Sequence, residues 1–185
     1  MANKVHLIGI GGIGMSALAR YFLSEGHKVS GSDLSPSEIT KELNSEGAKV
    51  YIGKHSPKNI KKNLSLVIYN QAILENNPEL VASKKLGIPC RSYPEIIGEL
   101  TRKYKTIAIA GSHGKSTTTA MVALILMEAG LDPTVIIGTK LKELDNKNFR
   151  KGEKGWLVLE ADEWKAAFLN YRPHIATITN IDKEH

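Results

Sequence analysis

The chain has 185 residues and a mass of 20.3 kDa, which fits one or two domains. Apolar residues make up 42% and charged residues 24%, so disorder is excluded as the main state, and the 6% of aromatic residues argues against a stacking platform for single-stranded nucleic acid. The net charge of +6 favours anionic ligands, but the basic residues are spread along the chain, so a nucleotide or phosphate fits as well as a nucleic acid. The only cysteine, Cys90, excludes an intramolecular disulfide.

In chain order, short apolar runs alternate with helical patterns, which is typical of βαβ units and a parallel sheet. The first half predicts strands at residues 5–8, 28–32, 50–52, 66–69 and 88–91. Helices are predicted at residues 13–24, 37–45, 78–86 and 94–102. The apolar stretch 5–18 carries four ordered glycines and is interpreted as structure, not as a signal peptide. No run approaches the roughly 18 apolar residues of a membrane span, so we expect a cytoplasmic chain without a membrane partner.

The pattern restarts after a polar, basic stretch at residues 103–105. It predicts strands at residues 106–110, 135–137, 156–159 and 175–179, and one long helix at 115–129. The strands at 156–159 and 175–179 are apolar enough to be fully buried, and the polar stretch 140–154 is expected to form a loop or hairpin. We therefore predict a domain boundary near residue 104. A second α/β domain that stops at a strand exit is expected to be incomplete, and the chain to be part of a longer protein.

The first glycine loop has the pattern G-x-G-x-x-G at residues 9–14, between a strand and a helix. Its glycines permit a tight turn and a close backbone approach, and the helix N-terminus offers N–H groups to a phosphate. Asp33 follows the second strand, where a carboxylate can reach a ribose hydroxyl. Alone, the pattern is typical of an NAD site. It indicates a diphosphate without deciding which one, unless the glycines serve only helix–strand packing.

The second glycine loop, GSHGKSTT at residues 111–118, also follows a strand and opens a helix. Gly114, Lys115 and Ser116 match the end of a P-loop, whose amides and lysine bind phosphates and whose hydroxyl ligates Mg²⁺. The strict pattern requires a glycine where Ile109 stands, so this is a variant in which Gly111 makes the turn. The alternative is a helix start rich in capping hydroxyl groups.

Acidic residues follow the next buried strand, in the sequence EADE at residues 160–163. Carboxylates at the carboxyl end of a parallel strand can hold Mg²⁺ or orient a metal-bound water, although a solvated acidic turn has the same composition. Asn180 and His185 lie at and beyond the end of the last strand, where they can face the same crevice. A single histidine in a polar turn is more often only solvated.

These four motifs, at residues 9–19, 111–119, 160–163 and 179–185, resemble in order and type those of the Mur ligases of peptidoglycan synthesis. The likeness runs along the whole chain. It implies a Rossmann-like parallel-sheet domain that binds a UDP-sugar at residues 1–104. Residues 105–185 would then be part of a P-loop-type α/β ATPase domain.

The resemblance also implies site residues. The first loop would hold the UDP diphosphate rather than NAD, through Gly9, Gly11, Gly12, Ile13, Gly14, Met15, Ser16 and Asp33. ATP would be bound by Gly111, Ser112, His113, Gly114, Lys115, Ser116, Thr117 and Asn180. Ser116 and Glu160 would ligate Mg²⁺, His185 would bind a second Mg²⁺, and Lys115, Glu160 and His185 would be the catalytic residues.

The implied reaction joins L-alanine to the lactyl carboxylate of UDP-N-acetylmuramate with ATP, through an acyl phosphate and without a nucleic-acid partner. The chain alone is expected to bind the UDP-sugar yet turn nothing over. Two segments depart from the family pattern: residues 164–166 replace small or acidic residues, and residues 69–73 replace a serine-rich turn near the sugar. An NAD-dependent oxidoreductase and a Mur-type ligase for another amino acid or peptide stay open as alternatives, as does the oligomeric state.

Overall fold

The computed structural model describes residues 3–182. The chain divides into two compact units, Met1–Tyr93 and Pro94–His185, and within the described residues each unit contains one five-stranded sheet. Both sheets are mainly parallel and alternate with helices, so the α/β fold expected from the sequence is confirmed. Among residues 3–182, no helix is both long and apolar enough to cross a bilayer. The cytoplasmic location stays a prediction.

The first unit has the strand order β3-β2-β1-β4-β5, with all neighbours parallel. The order reverses beside β1, and ligands of parallel sheets bind in the crevice that such a reversal opens at the carboxyl ends of the strands. The elements are β1 (Lys4–Ile8), α1 (Ile13–Ser24), β2 (Lys28–Asp33), α2 (Glu38–Ser45), β3 (Lys49–Ile52), β4 (Leu66–Tyr69), α3 (Pro78–Lys85) and β5 (Cys90–Ser92).

Local sequence signals explain where the helices of the first unit begin. Ser37 caps α2 in a capping box, because its hydroxyl accepts from the Thr40 amide and the Thr40 hydroxyl accepts from the Ser37 amide. Asn77 caps α3, and Pro78 occupies the first turn, where no amide donor is needed. Both helices therefore begin within one residue of the predicted position.

A carboxylate is buried in the middle of the first unit. Glu79 of α3 and His6 of β1 are both fully buried, with His6 Nε2 3.2 Å from Glu79 Oε2. Ser32 Oγ and Asn59 Nδ2 each donate to this carboxylate at 2.6 Å. Burial alone raises the pKa of Glu79, but the hydrogen bonds from His6, Ser32 and Asn59, together with the electrostatic interaction with His6, lower it from 4.5 to about 2. Glu79 is therefore ionised inside the fold.

The second unit has the strand order β10-β6-β9-β7-β8, in which only β8 is antiparallel to its neighbour. β7 and β8 form a hairpin, which confirms that alternative for the polar stretch 140–154. Ile109, Val135 and Val158 are fully buried and pack in one cluster with Ala123 of the long helix. The elements are α4 (Tyr93–Lys103), β6 (Lys105–Ala110), α5 (Lys115–Glu128), β7 (Thr134–Leu141), β8 (Lys147–Arg150), β9 (Trp156–Glu160) and β10 (Ile175–Ile178).

The burial expected for the last strand is wrong. All four residues of β10 are exposed, with Ile175 at 50% and Ile178 at 61%. β10 is the edge strand of its sheet and, within residues 3–182, it pairs only with β6. An apolar run shows that a strand is suited to a buried position. Whether the strand is buried depends on the strands and helices that pack against it, which the run does not specify.

Helix α4 packs closely against the segment near residue 170. Gly98 approaches the backbone of Asn170 so closely that a Cβ would lie 2.5 Å from the Asn170 carbonyl oxygen. Thr101 accepts a hydrogen bond from the Arg172 amide at 2.9 Å. These contacts place α4 in the second compact unit, and the domain boundary near residue 104 stays a prediction.

We predict that Glu79→Gln destabilises the protein in a pH-dependent way. Because the pKa of Glu79 is lowered in the folded state, its ionised form contributes stability above pH 4.5 that is lost as the pH falls toward 2. The difference in unfolding free energy between the two proteins should be about 3 kcal/mol near neutral pH and shrink over that window. Urea denaturation followed by circular dichroism measures it, since both tryptophans lie in the second unit.

The matched control for this prediction is Glu75→Gln, which removes an exposed carboxylate of the same unit. It should leave the unfolding free energy unchanged over the same pH range. A constant difference between Glu79→Gln and the parent protein from neutral pH to pH 2.5 would contradict an ionised Glu79.

Candidate functional site

The first unit has a cavity of about 400 Å³ at the carboxyl end of its sheet. It lies at the strand-order reversal, where the loop between β1 and α1 meets the ends of β2 and β4. Its wall includes Gly9, Gly11, Gly12, Asp33, His55 and Asn70. The position and the glycine backbone fit a ligand that carries phosphate groups.

Asp33 holds the first glycine loop in place. Its Oδ2 accepts a hydrogen bond from the Gly11 amide at 2.8 Å, and its Oδ1 lies 3.4 Å from the Ser35 amide. A Cβ on Gly11 would lie 2.8 Å from Asp33 Oδ2, so only glycine permits this contact. Gly9 has a φ of +80°, a conformation that favours glycine. Asp33 thus has a structural role at the cavity, and its contact with a ribose stays a prediction.

The structure separates the eight expected UDP-sugar residues into two groups. Gly9, Gly11, Gly12 and Asp33 line the cavity, as stated above, whereas the other four do not. The side chains of Met15 and Ser16 are buried, and Ser16 donates to the Ile13 carbonyl. Gly14 packs against Tyr93, whose ring would contact a Cβ at 2.9 Å. Apart from the exposed Ile13 side chain, any ligand contact from this second group would therefore have to come from the backbone at the start of α1.

The second glycine loop joins β6 to α5 and orients a lysine. Lys115 Nζ donates to the carbonyls of Gly111, at 2.6 Å, and Ser112, at 3.3 Å. It also forms an ion pair with Glu163, whose carboxylate oxygens lie 3.1 and 3.2 Å away. Gly114 precedes the helix with a φ of +79°. The ammonium group is therefore fixed over the loop at the N-terminus of α5.

Ser116 and Glu160 are brought together at the same helix start. The Ser116 hydroxyl donates to Glu160 Oε1 at 2.8 Å, and the Gly138 amide donates to Glu160 Oε2. The hydroxyl and the carboxylate are oxygen ligands of the kind that Mg²⁺ prefers, in the small number that it takes from protein when phosphates and water complete its shell. These two residues fit a Mg²⁺ ion beside the loop.

Asn180 fixes the loop from the neighbouring strand. Its Oδ1 accepts from the His113 amide at 2.9 Å, and its Nδ2 donates to the His113 carbonyl at 3.1 Å. The Thr179 hydroxyl also donates to the His113 carbonyl, at 2.5 Å. Ser112 and Asp182 exchange hydrogen bonds at 3.0 and 3.2 Å. The Asn180 side chain thus shapes the loop by hydrogen-bonding the loop's backbone, a role that the sequence did not reveal.

Of the remaining expected site residues, two are exposed and one lies outside the described part of the chain. His113 is largely exposed, with Nε2 3.7 Å from Asp182 Oδ2, and Thr117 is exposed on α5. His185 lies outside the described residues 3–182. Within those residues, no group of three or more His, Cys, Asp or Glu side chains is arranged to hold a metal ion.

Sequence reasoning missed two residues of these sites. Glu163 belongs to the acidic motif, but nothing in the sequence indicates its ion pair with Lys115. His55 was not singled out at all, although it lines the first cavity. Its neighbour Gly53 and the polar stretch around it are consistent with a loop but do not indicate a ligand.

A second cavity, of about 380 Å³, lies beside the second loop. It combines loop and acidic residues with apolar side chains from the exposed face of the sheet. Its wall includes Gly111, Ser112, Glu163, Phe168, Ile178 and Asn180.

Two family models match the chain. One is described as Mur ligase family, catalytic domain, and matches residues 4–105; the other is described as Mur ligase middle domain and matches residues 109–185. Curated relatives named UDP-N-acetylmuramate–L-alanine ligase are similar along the whole chain. That of Aquifex aeolicus is 50% identical and that of Clostridium kluyveri 48%, each over 99% of this chain and 40% of the relative. The chain therefore spans about 40% of the length of these relatives.

Solved structures of related enzymes share the fold. The UDP-N-acetylmuramate–alanine ligase of Thermotoga maritima superposes with a TM-score of 0.90 at 36% identity, over 98% of this chain and 42% of that one. A UDP-N-acetylmuramate:L-alanyl-gamma-D-glutamyl-meso-diaminopimelate ligase from Neisseria meningitides gives a TM-score of 0.91 at 26% identity, over 100% of this chain and 62% of that one.

We predict that Gly111→Ala destabilises the second unit more than Gly155→Ala does. Both glycines have positive φ values, +133° and +74°, so each substitution strains the backbone by roughly 1–3 kcal/mol. Only at Gly111 would the new Cβ collide with the Thr179 hydroxyl and crowd Asn180, whereas nothing lies within 4 Å at Gly155. Gly111→Ala should therefore cost at least about 3 kcal/mol.

Tryptophan fluorescence during urea denaturation measures this difference, because Trp156 and Trp164 both belong to the second unit. Equal losses of unfolding free energy for the two variants would show that Thr179 and Asn180 do not confine the loop.

Proposed function

The chain belongs to the Mur ligase family, and from that membership we propose that it is part of an ATP-dependent ligase that joins L-alanine to the lactyl carboxylate of UDP-N-acetylmuramate. The observation that carries the proposal is the 45–50% identity, over essentially the whole chain, to curated ligases named for these two substrates. The family resemblance drawn from the four motifs is confirmed. The activity itself belongs to the whole protein.

ATP would bind at the loop between β6 and α5. The Lys115 ammonium would contact its β- and γ-phosphates, and the amides of the loop and of the first turn of α5 would donate to the same oxygens. Support comes from the fixed position of Lys115, which the Gly111 and Ser112 carbonyls and Glu163 hold over the loop. On this proposal Glu163 keeps the ammonium in place and gives up part of its contact when the phosphates arrive.

Mg²⁺ would be held by Ser116 and Glu160, with phosphate oxygens and water as its other ligands. Bound there, the ion would neutralise charge on the phosphates during transfer. The Gly138 amide, which donates to Glu160 Oε2, would keep the other oxygen of that carboxylate directed at the ion. His185 is proposed to bind a second Mg²⁺, and this assignment rests on the family resemblance alone.

The chemistry would proceed in two steps. A lactyl carboxylate oxygen attacks the γ-phosphorus, the bond to the bridging oxygen of ADP breaks, and an acyl phosphate forms. The alanine amine then attacks the acyl carbon, loses its proton, and inorganic phosphate leaves with the C–O bond electrons. The first step brings two anions together, and Lys115 with the loop amides supplies the positive potential that it requires.

The UDP-sugar would occupy the cavity of the first unit, with its diphosphate at the amides of the glycine loop. Asn70, which replaces a residue of the family's serine-rich turn, lines that cavity and would face the ligand. L-Alanine is preferred over a peptide as the second substrate because the identity is 36–50% to alanine ligases and 26% to the peptide-adding enzyme.

We expect the chain to bind UDP-N-acetylmuramate saturably in a calorimetric titration and to show no heat of binding with NAD⁺. Both ligands offer a diphosphate to the glycine loop, so the comparison tests what the rest of the cavity recognises. Binding of NAD⁺ in place of the UDP-sugar would overturn the ligase proposal and favour an oxidoreductase.

We also expect Lys115→Ala to weaken the binding of Mg²⁺-ATP by about 10- to 100-fold, the usual effect of losing a charge-assisted hydrogen bond. The matched control is Lys142→Ala, which removes an exposed lysine of the same unit and should change the dissociation constant less than twofold. In the whole enzyme the same change should lower turnover by about 10²–10³. Equal ATP affinity for the two variants would contradict the proposed role.

A further inference from the structure

His55 lines the first cavity, yet neither the glycine-loop motif nor the ATP site accounts for it. We propose that His55 selects the bound nucleotide by accepting, through Nε2, a hydrogen bond from a donor group of its base or ribose. This inference rests on the proposed function, in which the cavity holds a UDP-sugar.

The hydrogen bonds around Glu79 determine which ring nitrogen of His55 carries a proton. Ser32 Oγ lies 2.6 Å from Glu79 Oε2 and 3.0 Å from His55 Nδ1. A serine hydroxyl has only one proton to donate. If that proton goes to Glu79, His55 Nδ1 must be the donor to Ser32.

The Ser32 hydroxyl donates to Glu79 because Glu79 is an ionised carboxylate, and both of its oxygens act as hydrogen-bond acceptors. Its Oε1 accepts from Asn59 Nδ2 at 2.6 Å and from the Ser56 amide at 3.2 Å, and its Oε2 lies 3.2 Å from His6 Nε2. Its lowered pKa agrees with this arrangement. A contact of 2.6 Å between a carboxylate and a hydroxyl that donated elsewhere would place two acceptors against each other. The Ser32 hydroxyl therefore donates to Glu79, and Nδ1–H of His55 donates to Ser32.

The other ring nitrogen of His55 is then an acceptor in the neutral imidazole. Among residues 3–182, Nε2 has no hydrogen-bond partner, and the side chain is 11% exposed at the cavity. The Ser56 amide bonds Glu79 as well, so the backbone next to His55 is anchored to the same buried carboxylate. The contact with Ser32 and the anchored backbone both hold the ring in place, and Nε2 can accept a hydrogen bond from a ligand.

The chemistry of this acceptor identifies the ligand groups it can select. It pairs with a hydroxyl or an imide N–H, so the ribose hydroxyls and N3–H of uracil qualify. Cytosine does not offer such a donor at N3, and a deoxyribose lacks one hydroxyl. A phosphate oxygen would be repelled, which distinguishes this part of the wall from the glycine-loop amides.

The test is calorimetric titration of the whole chain with UDP, CDP, 2′-deoxy-UDP and 3′-deoxy-UDP at about pH 8, where free imidazole is neutral. The chain should prefer UDP over CDP if the base is the donor, or over one deoxy-nucleotide if the ribose is, by about 3- to 10-fold, as for one hydrogen bond. His55→Phe, which keeps a ring but no nitrogen, should abolish that preference. His27→Phe removes a histidine at the opposite end of β2 and should retain it.

A second readout needs no variant. Long-range proton–nitrogen NMR correlation of ¹⁵N-histidine-labelled chain should show His55 as the Nδ1–H tautomer, and addition of UDP should shift its Nε2 resonance. Ser32→Ala should release the tautomer preference, which marks Ser32 as a positioning residue.

The possible failures are distinguishable. Failure of the parent chain to bind any of the uridine nucleotides would overturn the proposed function, and the role of His55 with it. UDP binding without discrimination, a preference that survives in His55→Phe, or an Nε2–H tautomer would each overturn the role of His55 alone and leave the ligase proposal intact.

Discussion

In each unit, a glycine loop is confined by a polar side chain at the end of the adjacent parallel strand. Asp33, at the end of β2, accepts from the Gly11 amide, and Asn180, just past β10, hydrogen-bonds both the backbone N–H and the backbone carbonyl of His113. Asp33 leaves no room for a Cβ on Gly11, and the Thr179 hydroxyl, next to Asn180, leaves none on Gly111. The loops therefore owe their shape to a neighbouring strand that is distant in the sequence, and the helix starts that follow depend on it.

Charged side chains of both units are held in place by contacts within the protein. Lys115 is compensated by Glu163, and Ser116 directs its hydroxyl at Glu160, so the groups proposed to meet phosphate and Mg²⁺ already have defined positions. In the first unit the ionised Glu79 collects hydrogen bonds from β1, β2 and the loop after β3, and orders His55 through Ser32. Such preorganisation lowers the reorganisation that binding would otherwise require.

Most of the fold could be predicted from the sequence, because the signals are local. Ser37 and Asn77 begin their helices as capping residues, and glycines close several others. The burial of the last strand could not be predicted in this way: β10 is apolar but exposed, since burial depends on which strands lie beside it. The contacts of α4 through Gly98 and Thr101 have no local signal either, because their partners near residue 170 are far along the chain.

The sequence alone determined the two phosphate-binding patterns, the alternation of strands and helices, and the family, because each depends on residues close together in the chain. Only the tertiary structure decided which of those residues meet. It brought Ser116 to Glu160 and Lys115 to Glu163, directed Met15 and Ser16 inward, and made Asn180 a support of the loop. It also revealed His55, a loop residue whose position follows from the buried carboxylate of Glu79 on helix α3. Contacts across such distances are set by strand order and packing, which no local pattern encodes.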